Sequence, residues 1–319
     1  MASLSPVPVL FCTDDNYWQH MGTTIASLLH SNPAQPFRII VCSANRNLEG
    51  EAKIRQITSN VEFVQFNMKN ASLRTDRHIT IAAYLRLFLT EFVPADVDRL
   101  IYLDCDVIVC RDIGELWSTD LGGMPMGAVP EPYAGQAALG FDVGDPYFNS
   151  GVLLIDLKRW REERVVERFL EYAERNKENL LAHDQDVLNG VFRGRIKALS
   201  YRWNFHAPFA DFQAAELGVT QRELADFRSR PGIVHFVARE KPWFKGREPH
   251  YKQRYWAMLK KTPWRDYTPP DEASFVERMK LKVRERINWM FPGVAAWLRG
   301  KMGKPGRLEI TRDVGKKAA

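Results

Sequence analysis

The chain has 319 residues, of which 45% are hydrophobic and 26% charged. This is ordinary globular composition, enough for one large domain or two small ones, and it excludes a disordered or fibrous chain. The net charge of +6 is uneven: residues 275–319 hold 12 Lys and Arg against 4 Asp and Glu, and the rest of the chain holds 33 against 35. A near-neutral body without an RNA-binding motif argues against a nucleic-acid protein. No stretch reaches the ~18 uninterrupted apolar residues of a membrane-spanning helix.

Residues 7–12 (VPVLFC) read as a buried strand. No basic residue precedes this run, which does not fit a secretory signal. Asp14-Asp15-Asn16 stops it, and Met21, Ile25, Leu28 and Leu29 then recur at helical spacing over 17–31. Further strands are predicted at 37–42, 61–66 and 100–103, with helices at 47–58 and 81–92 between them. The alternation predicts an α/β domain: a mostly parallel, Rossmann-like sheet with helices on both faces. Residues 121–148, rich in Gly, Pro and aromatics, read as loop with short strands. A strand at 152–155, a long charged helix at 157–177, a short helix at 184–192, a strand at 233–237 and a helix at 251–259 follow. The catalytic domain is placed at 1–270 and a separate tail at 271–319.

The sharpest local signal is Asp104-Cys105-Asp106 after the strand 100–103. In extended backbone the two carboxylates point one way, and open α/β sheets bind ligands beyond the carboxyl ends of their strands. Such a pair suits Mg²⁺ or Mn²⁺ shared with a phosphate; a solvated turn is the plainer reading. Strands one and four are expected side by side, so Asp14-Asp15-Asn16 would face the same crevice, or simply start the next helix. No glycine-rich phosphate loop follows strand one. His235, inside a late strand, reads either as a packed core residue or as a nitrogen ligand that tilts the choice toward Mn²⁺. Lys241 reads as a solvated turn residue or a cation for a phosphate. Cys12, Cys42, Cys105 and Cys110 form no CxxC pair and are expected as free thiols.

Seven stretches carry a resemblance: PVLFCTDDNY (8–17), RHITIAAYLRLFL (77–89), RLIYLDCDVIV (99–109), YFNSGVLLIDLKRW (147–160), HDQDVLNGVFRG (183–194), YRWN (201–204) and VHFVAREKPW (234–243). Together they resemble family 8 glycosyltransferases of the GT-A fold, in particular the bacterial α-galactosyl- and α-glucosyltransferases that build lipopolysaccharide cores. The resemblance implies a UDP-galactose or UDP-glucose donor, a divalent metal (Mn²⁺, with Mg²⁺ the alternative), and transfer with retention to a glycan or glycolipid acceptor. By position it implies that Asp14 and Asn16 hold the uridine beside the backbone of Cys12, and that Arg86 contacts the donor. Asp104, Asp106 and His235 become the metal ligands, and Lys241 holds the diphosphate. Asn149, Ser150, Asp184 and Gln185 face the donor sugar, with Gln185 nearest the reactive carbon; His78 and Glu131 lie on the acceptor side. Two positions depart from the family: Ala238 stands where a glycine is usual beside the phosphates, and Ser150 replaces a commoner alanine. Without the resemblance, Asp184 reads as a helix cap.

Gln185 is an amide and a poor nucleophile, which favours same-face attack over double displacement. In the tail, Val276, Met279, Val283, Ile287 and Met290 form one apolar stripe flanked by Arg278, Lys280, Lys282, Arg284 and Arg286. This is the pattern of a helix lying in an anionic membrane surface, or of a helix docked on the catalytic domain. The expected location is cytoplasmic, attached peripherally to the inner face of the plasma membrane. A metal-dependent nucleotide-sugar hydrolase and a catalytically silent nucleotide-sugar binder remain as alternatives.

Overall fold

The computed structural model describes residues 5–66, 84–132, 137–142, 144–237 and 241–268. The basic tail, His78 and Ala238 lie outside the described residues. The elements are β1 (Val7–Thr13), α1 (Trp18–Ser31), β2 (Phe37–Ser43), α2 (Leu48–Ile57), β3 (Val61–Gln65), α3 (Leu89–Phe92), β4 (Arg99–Leu103), β5 (Val107–Val109), α4 (Gly114–Trp117), β6 (Met126–Pro130) and β7 (Phe148–Asp156). They continue with α5 (Leu157–Glu162), α6 (Val165–Asn176), α7 (Asp184–Val191), β8 (Ile196–Ala198), β9 (Phe205–His206), α8 (Gln221–Ser229), β10 (Ile233–His235) and α9 (Lys252–Leu259). Seven strands form the main sheet in the order β3-β2-β1-β4-β7-β6-β8, and β5-β10-β9 form a second, small one.

The apolar run of β1 buries both of its faces, and its alternate residues feed two cores. Val7, Val9 and Phe11 join Ile39, Val41, Ile101 and Leu103 on one side, under Met21, Ile25 and Leu28 of α1. Leu10 and Cys12 join Ile40, Cys42, Leu100 and Tyr102 on the other, under Phe169 of α6 and Val187 and Leu188 of α7. Helices thus cover both faces. The expected neighbours β1 and β4 pair in parallel, Val9 opposite Ile101. β7 departs from the parallel reading: it runs antiparallel to β4, with Leu103 opposite Val152. All four cysteines are free thiols.

The small sheet sits where α1 offers a row of hydroxyls. The Thr24 hydroxyl lies 2.8 Å from the Val107 carbonyl oxygen, the Val109 N–H donates to Ser27 Oγ at 3.0 Å, and Ser31 Oγ donates to the Val109 carbonyl at 3.0 Å. These side chains satisfy the edge of β5 that faces away from β10, so backbone groups there are not orphaned.

The helix predicted over 157–177 is two. Arg164 separates α5 from α6 in the left-handed region, φ 48°, ψ 51°. The stretch Arg161-Glu162-Glu163-Arg164 contains neither Gly nor Pro, so the break leaves no compositional mark. A non-glycine residue there is strained by roughly 1–2 kcal/mol, and the Arg164 guanidinium bonds an exposed carboxylate, Glu167, a contact of little worth. Arg164→Gly is therefore expected to raise stability by about 0.5–1 kcal/mol in urea unfolding; a lower midpoint would show that the strain is absent.

Candidate active site

Strand β4 ends at Leu103, and residues 104–106 form a turn rather than the extended segment the sequence implied. The carboxylates converge because of that turn. Thr24 holds it, with its hydroxyl 3.0 Å from the Cys105 carbonyl oxygen, and Cys105 Sγ donates to the Cys12 carbonyl at 3.2 Å. Asp104 N–H donates to the Gly151 carbonyl at 2.8 Å, which sets β7 beside the pair. His235 arrives through the small sheet, where it stands opposite Val107, the residue after Asp106. Its Nε2 lies 3.3 Å from Asp106 Oδ1 and 3.8 Å from Asp104 Oδ2.

Each carboxylate has a cation of its own. Arg86, buried, bonds Asp104 Oδ1 through Nη2 at 2.8 Å and lies 4.6 Å over the Tyr102 ring. Lys241 Nζ pairs with Asp106 Oδ2 and donates to the Phe236 carbonyl at 2.6 Å. Burial alone would raise the Asp106 carboxyl, but Lys241 and His235 outweigh it and hold it well below its ordinary value. Lys241 Nζ lies 5.9 Å from the centroid of the Trp243 ring, which stacks on His20 with centroids 3.6 Å apart. His20 in turn has Nδ1 2.6 Å from the Tyr255 hydroxyl, and burial lowers its pKa to about 3, so it is neutral.

The other wall comes from β7 and α7. Arg86 Nε reaches Asp184 Oδ2 at 3.1 Å, and Nη1 donates to the Ser150 carbonyl at 2.7 Å. The Ser150 hydroxyl donates to Asp184 Oδ2 and accepts from Arg86 Nη1, both at 3.1 Å. The hydroxyl that departs from the family pattern is thus spent inside the wall. Asp184 stands in the first turn of α7, where its carboxylate meets both Arg86 and its own backbone N–H. Asp186, fully buried, accepts instead from the backbone N–H groups of Leu181 and Ala182 and from the Tyr147 hydroxyl. His183, just before Asp184, is held at φ 47°, ψ −106°, with Nδ1 2.9 Å from the Tyr84 hydroxyl. Strain of this kind persists where the surroundings dictate it. Gln185 Nε2 and Asn149 Nδ2 both donate to Glu131 Oε2, at 3.0 and 3.1 Å. Glu131, expected toward the acceptor, is thus hydrogen-bonded to Asn149 and Gln185.

At the end of β1, Asp14 Oδ1 accepts the Asn16 N–H at 2.9 Å, a local turn, with Asn16 exposed. Burial, and after it the charges of Asp106 and Asp14, raise the Tyr17 pKa, so both acidic clusters act on one ring.

Asp104, Asp106 and His235 fit a divalent cation. One atom from each lies within 4.8 Å of the others, and two carboxylates with one imidazole form a donor set for a divalent ion. Gly151 keeps the space open: a Cβ there would lie 2.2 Å from His235 Cε1 and 2.9 Å from Asp104 Oδ2.

A family model, "Glycosyl transferase family 8", matches residues 8–246. The chain belongs to glycosyl transferase family 8. It is 28% identical to general stress protein A of Bacillus subtilis (strain 168), over 80% of this chain and 94% of the relative. It is 26% identical to the lipopolysaccharide 1,2-glucosyltransferase of Escherichia coli (strain K12), over 85% and 83%. Its fold matches the crystal structure of galactosyltransferase LgtC in complex with donor and acceptor sugar analogs, with a TM-score of 0.73, 29% identity, and coverage of 82% of this chain and 99% of the other. The fold is thus GT-A like. Streptococcal relatives are longer, and the chain spans 27% to 66% of three of them.

Within this family 8 chain, the residues that sequence reasoning left without a role are Tyr102, Gly151 and Asn204. Tyr102 donates to Asp104 Oδ1 at 2.9 Å, and Asn204 stands between His235 and Asn149. Asn204 did lie in a singled-out stretch, 201–204, and that was the one available signal.

Asp184 yields a test. Its pKa is pushed up to about 6; burial is the largest cause, Arg86 opposes it, and the charge of Asp104 adds to it. The folded value exceeds the ordinary 3.8, so its contribution favours folding below the ordinary value and is lost as pH rises through about 6. Asp184→Asn is expected to be more stable than wild type at pH 7, by up to ~3 kcal/mol, and to lose that advantage at pH 4. Urea midpoints at the two pH values measure this, and a variant less stable than wild type at pH 7 would refute it.

Proposed function

We propose that this protein is a retaining, Mn²⁺-dependent hexosyltransferase that moves galactose or glucose from a UDP-sugar to a saccharide of a lipid-linked glycan such as a lipopolysaccharide core. The observation that carries this reading is the convergence of His235 with Asp104 and Asp106 on one side of Arg86, and of Asp184 and Gln185 on the other. Asp104, Asp106 and His235 would hold the cation, which when bound supplies Lewis-acid stabilisation of charge on the leaving diphosphate. Lys241 then has a second partner available: an ammonium held by one carboxylate can turn to the diphosphate oxygens. Asp14, Asn16 and the backbone at Cys12 flank the nucleotide. Arg86 keeps Asp184 against Ser150, where the carboxylate can accept from donor-sugar hydroxyls or face positive charge on the ring.

Same-face attack is favoured by hydrogen bonding. Gln185 Oε1 accepts from the Ser150 N–H and from Asn149 Nδ2, both at 3.1 Å, and is a weak amide nucleophile. Glu131 Oε2 is engaged by two amide donors, which lowers its nucleophilicity. The acceptor oxygen would attack on the diphosphate side and pass its proton to the leaving oxygen. Relatives named as a lipopolysaccharide glucosyltransferase and a galactosyltransferase support both candidate sugars.

The deciding assay measures UDP release from UDP-galactose, UDP-glucose and UDP-N-acetylglucosamine, with and without Mn²⁺ and a lipopolysaccharide-core acceptor. Release from one of the first two is expected to require Mn²⁺, to rise with acceptor, and to fall ~10²-fold or more in His235→Gln. Release indifferent to acceptor would mean a hydrolase, and binding without release a silent binder.

Membrane attachment through the tail is part of the proposal. Among the described residues no helix is long and apolar enough to cross a membrane. The support is the basic, amphipathic pattern of 275–291, where each Lys or Arg near an anionic leaflet contributes ~1 kcal/mol. The full chain is expected to sediment with anionic vesicles at low salt and a chain ending at residue 270 to stay in solution; equal sedimentation of both would remove the tail from the account.

A further inference from the structure

We propose that Asn204 is a positioning residue that locks His235 in its Nδ1–H tautomer and ties this metal-side imidazole to the sugar-side amides Asn149 and Gln185. The argument starts from two backbone donors, whose hydrogen-bonding sense is fixed. Gly151 N–H donates to the Asn149 side-chain oxygen at 2.9 Å. The atom of Asn204 that faces the same oxygen at 2.8 Å must then be its NH₂ group. That leaves Asn204 Oδ1 toward His235 Nδ1, at 2.9 Å. A carbonyl oxygen only accepts, so Nδ1 carries a proton, and Nε2, on the side of Asp104 and Asp106, is the nitrogen that can offer its lone pair to a cation. The reverse tautomer would set lone pair against lone pair at Asn204 and put a proton where a cation would bind.

The same logic runs the other way. Ser150 N–H donates to Gln185 Oε1 at 3.1 Å, which turns the Gln185 NH₂ group to Glu131. Asn149 Nδ2 bridges Gln185 Oε1 and Glu131 Oε2. One polarised run therefore joins Glu131, Gln185, Asn149, Asn204 and His235. Asn204 joins its imidazole end to its amides and is fully buried. Another ring near His235 is His206, but it meets His235 edge-on at 5.4 Å, and its Nε2 has no hydrogen-bond partner. Asn204 is accordingly the polar group that sets the imidazole, and it acts on chemistry through His235 and Asn149 rather than by touching substrate. A group behind a ligating histidine fixes its tautomer, and losing one typically costs ~10–100-fold in metal affinity.

The metal half of this inference rests on the proposed function; the tautomer half does not. The first test is the ¹⁵N ring spectrum of histidine-labelled full-length protein at alkaline pH, with the His235 signals identified by their loss in His235→Gln. A proton on Nδ1 is expected for the wild type, and a ring with Nε2–H and a bare Nδ1 would overturn the assignment whether or not any variant folds. The second is a Mn²⁺ titration followed by electron paramagnetic resonance, with kcat and donor KM measured in parallel. Asn204→Leu is expected to lose ~10–100-fold in Mn²⁺ affinity. Asn204→Asp keeps an oxygen toward Nδ1 and removes the donor to Asn149, so it is expected to recover most of that affinity while kcat stays depressed. Wild-type affinity in the Leu variant, or an Asp variant no better than Leu, would overturn the proposal. A wild-type protein that binds no Mn²⁺ would instead sink the transferase reading, and the ring spectrum would still decide the role of Asn204.

Discussion

Two carboxylates one residue apart, half-buried at the end of a strand, repel each other, and the site is built around that repulsion. Asp104 and Asp106 are not left to share one counter-charge. Arg86 holds the first from within the protein, and Lys241 holds the second from the end of the chain's long return. Buried charge is tolerated only when it is paired and hydrogen-bonded, and this requirement draws distant segments together. Arg86 brings Asp184 and Ser150 with it, Lys241 brings the His20–Trp243 stack, and β10 brings His235.

The two cations differ in what they can do next. Arg86 is locked by Asp104, Asp184, the Ser150 carbonyl and the Tyr102 face, a fixed post between the two carboxylates. Lys241 has a carboxylate and a carbonyl on a longer, more flexible stem.

Much of the fold was legible because doubly buried strands write themselves as unbroken apolar runs. β1, β2 and β4 could be read in this way, together with the side-by-side placement of β1 and β4. β5 and β8 were not legible as strands: three residues carry too little periodicity, and β5 follows the aspartate pair without a break; β6 fell in a segment read only as loop with short strands. The site divides along similar lines. The aspartate pair announces itself by local spacing, whereas His235 looks like a core residue until the small sheet sets it opposite Val107. Asn204 has no local signature, because its partners come from β7 and β10 and hydrogen-bond sense is not written in residue spacing. The joint at Arg164 was hidden for a related reason, since a charged residue in a left-handed conformation leaves the hydrophobic pattern of the flanking helices intact.

The hydroxyl row on α1 has a further consequence. Thr24, Ser27 and Ser31 lie at positions i, i+3 and i+7, and they present to β5 what a neighbouring strand would otherwise supply. In an isolated peptide, alanine at these places would make the better helix. In this protein the same exchange would strip the outer margin of a three-stranded sheet of its substitutes and unseat the strand that follows Asp106. A propensity scale applied to α1 alone would therefore rank as improvements the replacements that loosen the cradle beneath the aspartates.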